Sequence, residues 1–334
     1  MKDKVVAIFG GTGFIGHFLA KHLIKKCSKI YLLDIKHNDD LSIFRKSLET
    51  KKNVEFIECD VRQKIEWKPS EKIDIIFNFA AVHREPGHED IEYFETNIGG
   101  ANNVCSFADD ISCQKIVFSS SISPYGADTR IKSEKTLTVP TTAYGSSKLA
   151  AEYIHKIWHQ EENKQLIILR PGVVFGPTEG GNVSRLIRAV KGGYFFFMGN
   201  KNLKKAGIYV KEIPLIIDWL LAKLDNEKKN FALLNLTMYP CPTLEDYVVK
   251  IKKVGNFKKP IFSLPFYFIL FAANIMELFL GFFFKNNPFN PVRIKKLSRP
   301  NEIDPLFLKQ NKYEFNYNLE EAFEDWIKDY SKEW

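Results

Sequence analysis

Three side chains in this sequence have the types and spacing needed for proton transfer beside a redox cofactor. Tyr144 and Lys148 stand four residues apart, so a helix would place them on one face. A tyrosine has a pKa of roughly 10, so ionising it at pH 7 costs about 4 kcal/mol. A cation about 4 Å away supplies a similar energy at an effective dielectric constant near 20. With Ser121 to hydrogen-bond the reacting hydroxyl, Tyr144 can move a proton while a nicotinamide moves a hydride.

A glycine-rich turn near the start of the chain can hold such a cofactor. Gly10, Gly13 and Gly16 have GxxGxxG spacing, between an apolar run and a helical pattern. Glycine lets the backbone approach a diphosphate, and the helix N-terminus offers N–H groups and a positive potential. Phe14 and Ile15 lie in the same turn and are predicted to contact the cofactor with it.

Carboxylates after the next two predicted strands indicate which dinucleotide binds. Asp34 follows Gly16 by 18 residues, where a carboxylate can accept hydrogen bonds from the adenosine ribose and would repel a 2′-phosphate. NAD is therefore favoured over NADP, although Lys36 keeps NADP open. Asp60 is a candidate partner for the adenine amine, with an ordinary solvated turn acid as the competing interpretation, and Val61 follows it.

Alternating strands and helices predict the scaffold that positions these residues. Apolar runs indicate buried parallel strands at residues 5–9, 30–33, 54–57, 73–79, 115–118 and 166–169. The pattern predicts an α/β fold, with a Rossmann-type doubly wound parallel sheet as the NAD-binding domain over residues 1–177. Residues 178–334 are expected to form a smaller C-terminal substrate-binding lobe, some of whose elements can return to the main sheet.

Composition narrows the classes of partner. The formal net charge of +8 favours anionic ligands or an anionic membrane surface. The basic residues are spread along the chain without a recognisable binding module, so we expect no nucleic-acid partner. Five cysteines without a CxxC pair suit a reducing cytoplasm, and we predict no metal site.

Taken together, the motifs resemble the extended short-chain dehydrogenase/reductase family, of the NAD-dependent epimerase/dehydratase type. The resemblance rests on residues 10–16, 60–61, 78–81, 119–121, 144–148 and 170–177. It implies NAD as the cofactor, Tyr144 as the acid/base, Lys148 as a ligand of the nicotinamide ribose and Ser121 as a group that positions substrate. Further cofactor contacts are expected from Phe79, Ala80, Ala81, Ser119 and Pro171.

The residues after Ser121 favour one reaction of this family. Sugar dehydratases usually have an Asp-Glu pair there, whereas this chain has Ile122 and Ser123, neither of which can protonate a leaving hydroxyl. A sugar 4-epimerase needs only to remove a hydride from C4 and return it to the other face of the keto-sugar. An NAD(P)-dependent reductase or dehydrogenase of a keto-sugar or steroid-like lipid is the second interpretation. A non-catalytic NAD-binding protein is the third, against which the intact catalytic residues argue.

Four further segments indicate the substrate. Residues 80–84, 181–183, 191–195 and 291–296 are similar to a bacterial group of 4-epimerases that act on N-acetylglucosaminyl-diphospho-undecaprenol in O-antigen pathways. The resemblance implies a polyprenyl-diphosphate-linked N-acetylhexosamine, with UDP-glucose or UDP-N-acetylglucosamine as the alternative. The residues predicted to contact substrate are Ser121, His83, Arg84, Asn182, Lys205 and Arg293. The last three are diphosphate candidates, each with an ordinary surface role as the competing interpretation.

An apolar segment at residues 261–284 contains eight phenylalanines and is long enough to span a bilayer. Pro265 and Glu277 argue against a span, and its polar residues would form one narrow stripe on a helix. We therefore predict a helix lying in the membrane interface, with the protein peripheral on the inner face of the cell membrane. A buried helix or dimer contact is the competing interpretation. The family also implies a homodimer through helices near residues 97–108 and 144–159.

Overall fold

The structure is built around a seven-stranded parallel sheet. The computed structural model describes residues 1–35, 47–48, 50–85, 87–161, 163–271, 274 and 299–334. The strands, in chain order, are β1 (Val5–Phe9), β2 (Lys29–Asp34), β3 (Val54–Glu58), β4 (Ile75–Asn78), β5 (Lys115–Ser119), β6 (Gln165–Pro171), β7 (Val173–Phe175), β8 (Phe196–Met198), β9 (Gly207–Tyr209), β10 (Phe231–Leu236) and β11 (Phe262–Leu264). The main sheet has the order β3-β2-β1-β4-β5-β6-β10, and all its neighbours are parallel.

This strand order confirms the predicted Rossmann-type fold. The chain adds strands on one side of β1 up to β3 and then on the other side from β4 onwards. This change of side leaves a crevice between β1 and β4 at the carboxyl ends of the strands, where dinucleotides bind in such sheets. The six strands predicted from apolar runs are all present, with ends that differ by at most two residues. The seventh, β10, comes from beyond residue 177 and pairs with β6.

The strands read as continuous apolar runs because both faces of the sheet are covered. In β1, Val6 and Ile8 belong to one apolar core, whereas Val5, Ala7 and Phe9 belong to a second core on the opposite face. Successive strand residues point to opposite faces, so a strand buried on both sides has no polar positions.

Nine helices flank the sheets in the described part of the chain. They are α1 (Phe14–Leu23), α2 (Asp90–Tyr93), α3 (Gly100–Asp110), α4 (Ala143–His159), α5 (Asn182–Gly192), α6 (Glu212–Glu227), α7 (Leu244–Val254), α8 (Leu306–Gln310) and α9 (Leu319–Asp329). Side chains of α1 and α6 fill the first core, and those of α3 and α4 fill the second. A π-helical turn, Phe94–Gly99, joins α2 to α3.

Two small parallel sheets lie outside the main one. β7 pairs with β9, and β8 pairs with β11. The predicted apolar segment begins at β11, and residues 266–271 are helical, but most of the segment lies outside the described residues, as do Lys36, Glu277 and Arg293. Over the residues that the structure does describe, no helix combines the length and the apolar character needed to cross a bilayer.

Candidate active site

The glycine turn packs too tightly for any side chain. Gly10 has a φ of +72°, and a Cβ there would lie 2.7 Å from backbone atoms of Phe79 and Ala80. A Cβ on Gly16 would lie 2.2 Å from the carbonyl oxygen of Gly10. The predicted glycines therefore bring the start of α1, the end of β1 and the residues after β4 into direct backbone contact.

The start of α1 fits the diphosphate of a dinucleotide. Gly13 is the N-cap residue, so it offers no capping side chain, and the first turn contains no acidic residue. Phe14 and Ile15 are the first two residues of the helix, whose N–H groups have no intrahelical acceptor. A helix start without a carboxylate of its own has the positive potential that an anionic ligand needs.

Asp34 is the last residue of β2, as predicted, and its carboxylate contacts the glycine turn. Its Oδ2 accepts hydrogen bonds from the backbone N–H of Thr12 at 3.0 Å and from the Thr12 hydroxyl at 2.7 Å. Asp34 therefore helps to fix the shape of the turn. No sequence pattern indicated this contact with Thr12, and the role of Asp34 at the adenosine ribose stays a prediction.

Asp60 forms an ion pair with a neighbouring arginine. Arg62 Nη2 lies 2.6 Å from Asp60 Oδ2, and this hydrogen bond holds the pKa of the Asp60 carboxyl below its usual value. Val61 is buried, and its Cγ2 would lie 2.8 Å from a Cβ added at Gly100. The adenine contact proposed for Asp60 stays a prediction, and any such contact would be made beside Arg62.

Helix α4 carries Tyr144 and Lys148 one turn apart, as their spacing predicts. Thr142 caps the helix by accepting a hydrogen bond from Gly145 N at 3.1 Å. Lys148 is buried, and its Nζ lies 4.8 Å from the centroid of the Phe118 ring. Burial lowers the pKa of Lys148 to about 7, although the charge of Glu152 opposes the shift.

Tyr144 is partly buried, and its proton is held more tightly than the sequence suggested. Burial raises the pKa of Tyr144 to about 12, and a hydrogen bond with Ser121 opposes this effect. The sequence-based energy treated the lysine as a fully charged neighbour, whereas the buried Lys148 loses much of its charge near pH 7. A positive charge beside Tyr144 would lower the pKa of its hydroxyl and favour its action as a base.

Ser121 lies where two strands of the main sheet end. Ser119 closes β5 and Pro171 closes β6, and the N–H of Ile122 donates to the carbonyl of Pro171 at 3.1 Å. Ser121 Oγ accepts a hydrogen bond from the backbone N–H of Ser123 at 3.1 Å. The strand ends thus fix the catalytic serine close to Tyr144.

A buried ion pair that the sequence did not indicate supports α4. Arg170 donates two hydrogen bonds to Glu152, at 2.8 Å from Nε and 2.6 Å from Nη2, and the Ser120 hydroxyl donates to the same carboxylate at 2.5 Å. Glu152 lies one turn after Lys148, so this network ties the catalytic helix to β6. Its only sequence signal is the Lys148–Glu152 spacing, which does not identify the distant Arg170.

Asn97 also anchors the catalytic helix without a clear sequence signal. It lies in the π-helical turn and exchanges hydrogen bonds with the backbone of Val82, which donates at 3.0 Å and accepts at 3.2 Å. Its Nδ2 donates to Ser147 Oγ at 2.9 Å, and Ser147 in turn donates to the carbonyl of Tyr144 at 2.9 Å. The chain after β4 is thereby joined to the first turn of α4.

His83 and Arg84 follow this same segment and are exposed. The Tyr93 hydroxyl donates to the carbonyl of Arg84, and the Tyr93 ring lies 5.9 Å from that of Tyr144. Desolvation by the surrounding protein lowers the pKa of His83, and the charges of Arg84 and Lys148 add to the effect. The Arg84 backbone is thus connected through Tyr93 to Tyr144, and substrate contacts by His83 and Arg84 stay predictions.

The start of α5 differs from the predicted diphosphate site. Glu179 accepts a hydrogen bond from the N–H of Ser184 at 2.9 Å, and backbone groups of Val183 and Gly181 also hydrogen-bond to its carboxylate. Burial raises the pKa of Glu179, although these hydrogen bonds oppose the shift. A carboxylate of the protein thus already binds the N–H groups that were expected to meet a diphosphate beside Asn182.

The other diphosphate candidates make contacts within the protein. The side-chain oxygen of Asn182 accepts a hydrogen bond from Arg185 Nη2 at 2.8 Å. Lys205 Nζ donates to the carbonyl of Arg299 at 2.9 Å, and burial lowers the pKa of Lys205. With Arg293 outside the described residues, substrate contacts by these residues stay predictions.

Comparison with known proteins gives consistent matches. The model of the NAD-dependent epimerase/dehydratase family matches residues 6–233. The chain is 25% identical over 253 residues to the N-acetyl-α-D-glucosaminyl-diphospho-ditrans,octacis-undecaprenol 4-epimerase of Escherichia coli O157:H7, covering 75% of this chain and 76% of that protein. It is 32% identical over 187 residues to a UDP-glucose 4-epimerase of Lacticaseibacillus casei, covering 53% of this chain and 54% of that protein.

A solved structure confirms the fold over nearly the whole chain. The UDP-glucuronic acid 4-epimerase of Bacillus cereus, in complex with NAD, superposes with a TM-score of 0.74 at 20% identity, and the match covers 98% of this chain and 99% of that one.

Proposed function

This chain belongs to the NAD-dependent epimerase/dehydratase family, and from that premise we propose that it epimerises C4 of a sugar carried on a diphosphate. One observation carries the proposal: Tyr144, Lys148 and Ser121 meet at the end of β5, in the sheet whose first βα turn has an uncapped, glycine-built helix start. These two features together are what hydride transfer coupled to proton transfer requires.

Side chains of this protein carry out the proton transfer. The glycine turn and the start of α1 would hold NAD, which would supply a hydride acceptor and a positive charge. Tyr144 Oη takes the proton of the C4 hydroxyl as the C4 hydride leaves, and Ser121 holds that hydroxyl by a hydrogen bond. The keto-sugar would then rotate so that its opposite face accepts the hydride, and Tyr144 would return the proton to the C4 oxygen. No net oxidation occurs, and Lys148 favours the tyrosinate whenever it carries its charge.

The surroundings of Ser121 support epimerisation over dehydration. Ile122 packs against a buried apolar cluster that contains Tyr125, Ala206 and Ile303. Ser123 accepts a hydrogen bond from Ser121 at 3.1 Å and has no acidic proton to give. Loss of a sugar hydroxyl needs a general acid, and neither residue supplies one.

The proposed substrate is an N-acetylhexosamine linked to a polyprenyl diphosphate, used in O-antigen or surface-polysaccharide synthesis. The similarity to the undecaprenol-linked 4-epimerase of Escherichia coli O157:H7, across three quarters of both proteins, supports this choice. A lipid-linked substrate also requires a peripheral position on the inner face of the cell membrane. UDP-glucose and UDP-N-acetylglucosamine are the alternatives, and a homodimer through α3 and α4 is the proposed assembly.

Product analysis without added cofactor tests the function. Purified protein is given N-acetylglucosaminyl-diphospho-undecaprenol and UDP-N-acetylglucosamine in parallel. Conversion of the lipid-linked sugar alone supports the full proposal, whereas conversion of the UDP-sugar assigns a nucleotide-sugar epimerase. If neither sugar changes until NADH is supplied and consumed, the protein is a reductase and the proposal is wrong.

A further inference from the structure

We propose that β8, β11, residues 266–271 and a basic groove beside α5 form one docking surface for an anionic lipid bilayer. The inference rests on the proposed membrane association and deepens it, because it names the surface and the lipid chemistry that the surface recognises.

Exposed aromatic side chains dominate one face of the helical residues 266–271. Tyr267, Phe268 and Phe271 have exposed fractions between 63% and 82%. They lie at positions i, i+1 and i+4, which share one side of a helix. Aromatic side chains exposed this far on neighbouring positions mark an interaction site, because soluble surfaces rarely group them.

The opposite face of this helical segment fixes it to the protein. Ile269 is buried in a small cluster with Phe266, Leu264, Phe196 and Met198. Phe196 and Met198 belong to β8 and Leu264 belongs to β11, so the helical segment is anchored on the small parallel sheet. The backbone that carries the exposed aromatic side chains is therefore held in place, so these side chains lose little conformational entropy when they enter a lipid interface.

The same small sheet carries exposed aromatics at its other end. Phe262, the first residue of β11, and Tyr194, two residues before β8, are each 66% exposed. Phe262 pairs with Phe196, so Tyr194 precedes the strand that neighbours Phe262. Exposed aromatics therefore flank the small sheet at both ends, at residues 266–271 and beside the end of α5.

A basic groove borders this aromatic surface. It has a volume of about 560 Å³, and its lining includes Arg188, Lys191 and Lys332. The one carboxylate in the lining, Glu333, is turned towards the protein, where it accepts hydrogen bonds from Trp326 Nε1 at 2.8 Å and from a backbone N–H. The groove therefore offers cations to an anion with the size and charge of a phospholipid headgroup.

A lysine links the groove to the aromatic sheet. Lys259, three residues before β11, donates from Nζ to the carbonyl of Gly192 at 2.8 Å, and Gly192 also lines the groove. Cations beside exposed Phe and Tyr match the two layers of an anionic membrane interface, charged headgroups and the boundary of the acyl chains. This complementarity favours a bilayer over a protein partner.

Co-sedimentation of the whole protein with vesicles tests the inference without any sugar substrate. Vesicles of phosphatidylcholine alone are compared with vesicles that also contain phosphatidylglycerol. We expect the wild type to bind the anionic vesicles. The variant that combines Tyr267→Ala, Phe268→Ala and Phe271→Ala should bind them at least about ten-fold more weakly. Leu137→Ala is the matched control, because it removes a 79% exposed apolar side chain from another part of the molecule.

Substitutions in the basic groove test its contribution to vesicle binding separately. Arg188→Gln and Lys191→Gln should each weaken binding to the anionic vesicles roughly five-fold at low salt, while Lys52→Gln should not. The effect should shrink as salt rises, because exposed charges are screened, whereas the effect of the aromatic variant should persist.

Three outcomes overturn the inference: no binding of the wild type to anionic vesicles, equal binding by the aromatic variant, or lipid-free self-association that the aromatic variant abolishes. Failure of the proposed function looks different. If the protein converts neither sugar but its vesicle binding depends on the aromatic side chains, the proposed epimerase activity is wrong and the proposed membrane-docking surface is supported.

Discussion

Two helices of this protein start where the sequence predicted a diphosphate, and their starts differ in one respect. Helix α1 begins after a glycine turn, with no side-chain cap and no acidic residue in its first turn. Helix α5 begins beneath the carboxylate of Glu179, which binds its N–H groups from within the chain. A helix start is a ready anion site only when the preceding loop brings no anion of its own.

The contrast separates a cofactor side of the site from a substrate side. On the cofactor side close backbone packing at Gly10 and Gly16, which have no room for a Cβ, determines the shape of the turn together with the contact between Asp34 and Thr12. On the substrate side, the predicted contact points already make hydrogen bonds within the protein. A substrate diphosphate at α5 would compete with the carboxylate of Glu179, whereas the first turn of α1 has no acidic residue and no side-chain cap.

The largest expected effect is a loss of catalytic rate without a loss of NAD affinity, on the cofactor side of the site. Tyr144→Phe should lower kcat by roughly 10³-fold, because it removes the group that moves the proton, and should leave the NAD affinity nearly unchanged. Steady-state kinetics and an NAD titration measure the two. Tyr93→Phe is the control, since its ring lies 5.9 Å from that of Tyr144 while its hydroxyl only contacts a backbone carbonyl. If Tyr144→Phe and Tyr93→Phe lower kcat equally, Tyr144 is not the base.

The second effect concerns the shape of the glycine turn. Gly16→Ala should weaken NAD binding by roughly 10- to 100-fold, because a Cβ 2.2 Å from the Gly10 carbonyl forces the turn to open. The control Gly99→Ala adds a methyl group where no atom lies within 4 Å. Calorimetric titration with NAD measures the change, and circular dichroism checks that both variants fold. Wild-type affinity in Gly16→Ala would show that the turn does not hold the cofactor.

A smaller change sharpens the comparison at α5. Glu179→Gln should change stability by less than about 1 kcal/mol, because the burial that raises the pKa of Glu179 offsets what its carboxylate gains from the helix N–H groups. It should also lower the KM for the diphosphate substrate a few-fold, because the competing charge is gone. Glu321→Gln is the matched control: Glu321 accepts a hydrogen bond from Asn318 N in the cap of α9, so only stability should fall. An unchanged KM in Glu179→Gln would place the diphosphate elsewhere.

The smallest effect is a difference in stability between two buried lysines. The pKa of Lys148 is about 7 in the fold and near its ordinary value of about 10.4 in the unfolded chain. Between these pH values the unfolded chain binds the extra proton, so this group makes stability rise with pH over that window. Lys148→Met should remove that dependence and raise the Tm of the cofactor-free protein by a few °C near pH 7.

Lys164 provides the control for that measurement. It is also buried, but it pairs with Asp109 and Glu161 at 2.6 Å each, and these contacts raise the pKa of Lys164 despite the opposing effect of desolvation. Lys164→Met should therefore lower the Tm over the same pH range. Matching shifts in the two variants would mean that burial alone, without regard to partners, determines how these lysines affect stability.

The sequence predicted the parts of the fold and site that local patterns encode. Parallel strands covered on both faces are continuous apolar runs, and the glycine turn and the Tyr144–Lys148 spacing are short motifs. The supporting contacts were missed because they join distant residues, as with Glu152 and Arg170 or Asn97 and Ser147. β10 was missed because a short apolar run after irregular chain fits a helix as well as a strand.

The position of β10 has a consequence for how this molecule can be divided. β10 covers the outer edge of β6, yet about 60 residues of chain separate the two strands. A fragment ending at residue 177 would expose the unpaired backbone of β6, whose residues are all buried in the intact fold. Such an edge invites aggregation with other strands. On a ribosome, the sheet that holds the cofactor therefore stays open on one side until most of the protein has been made.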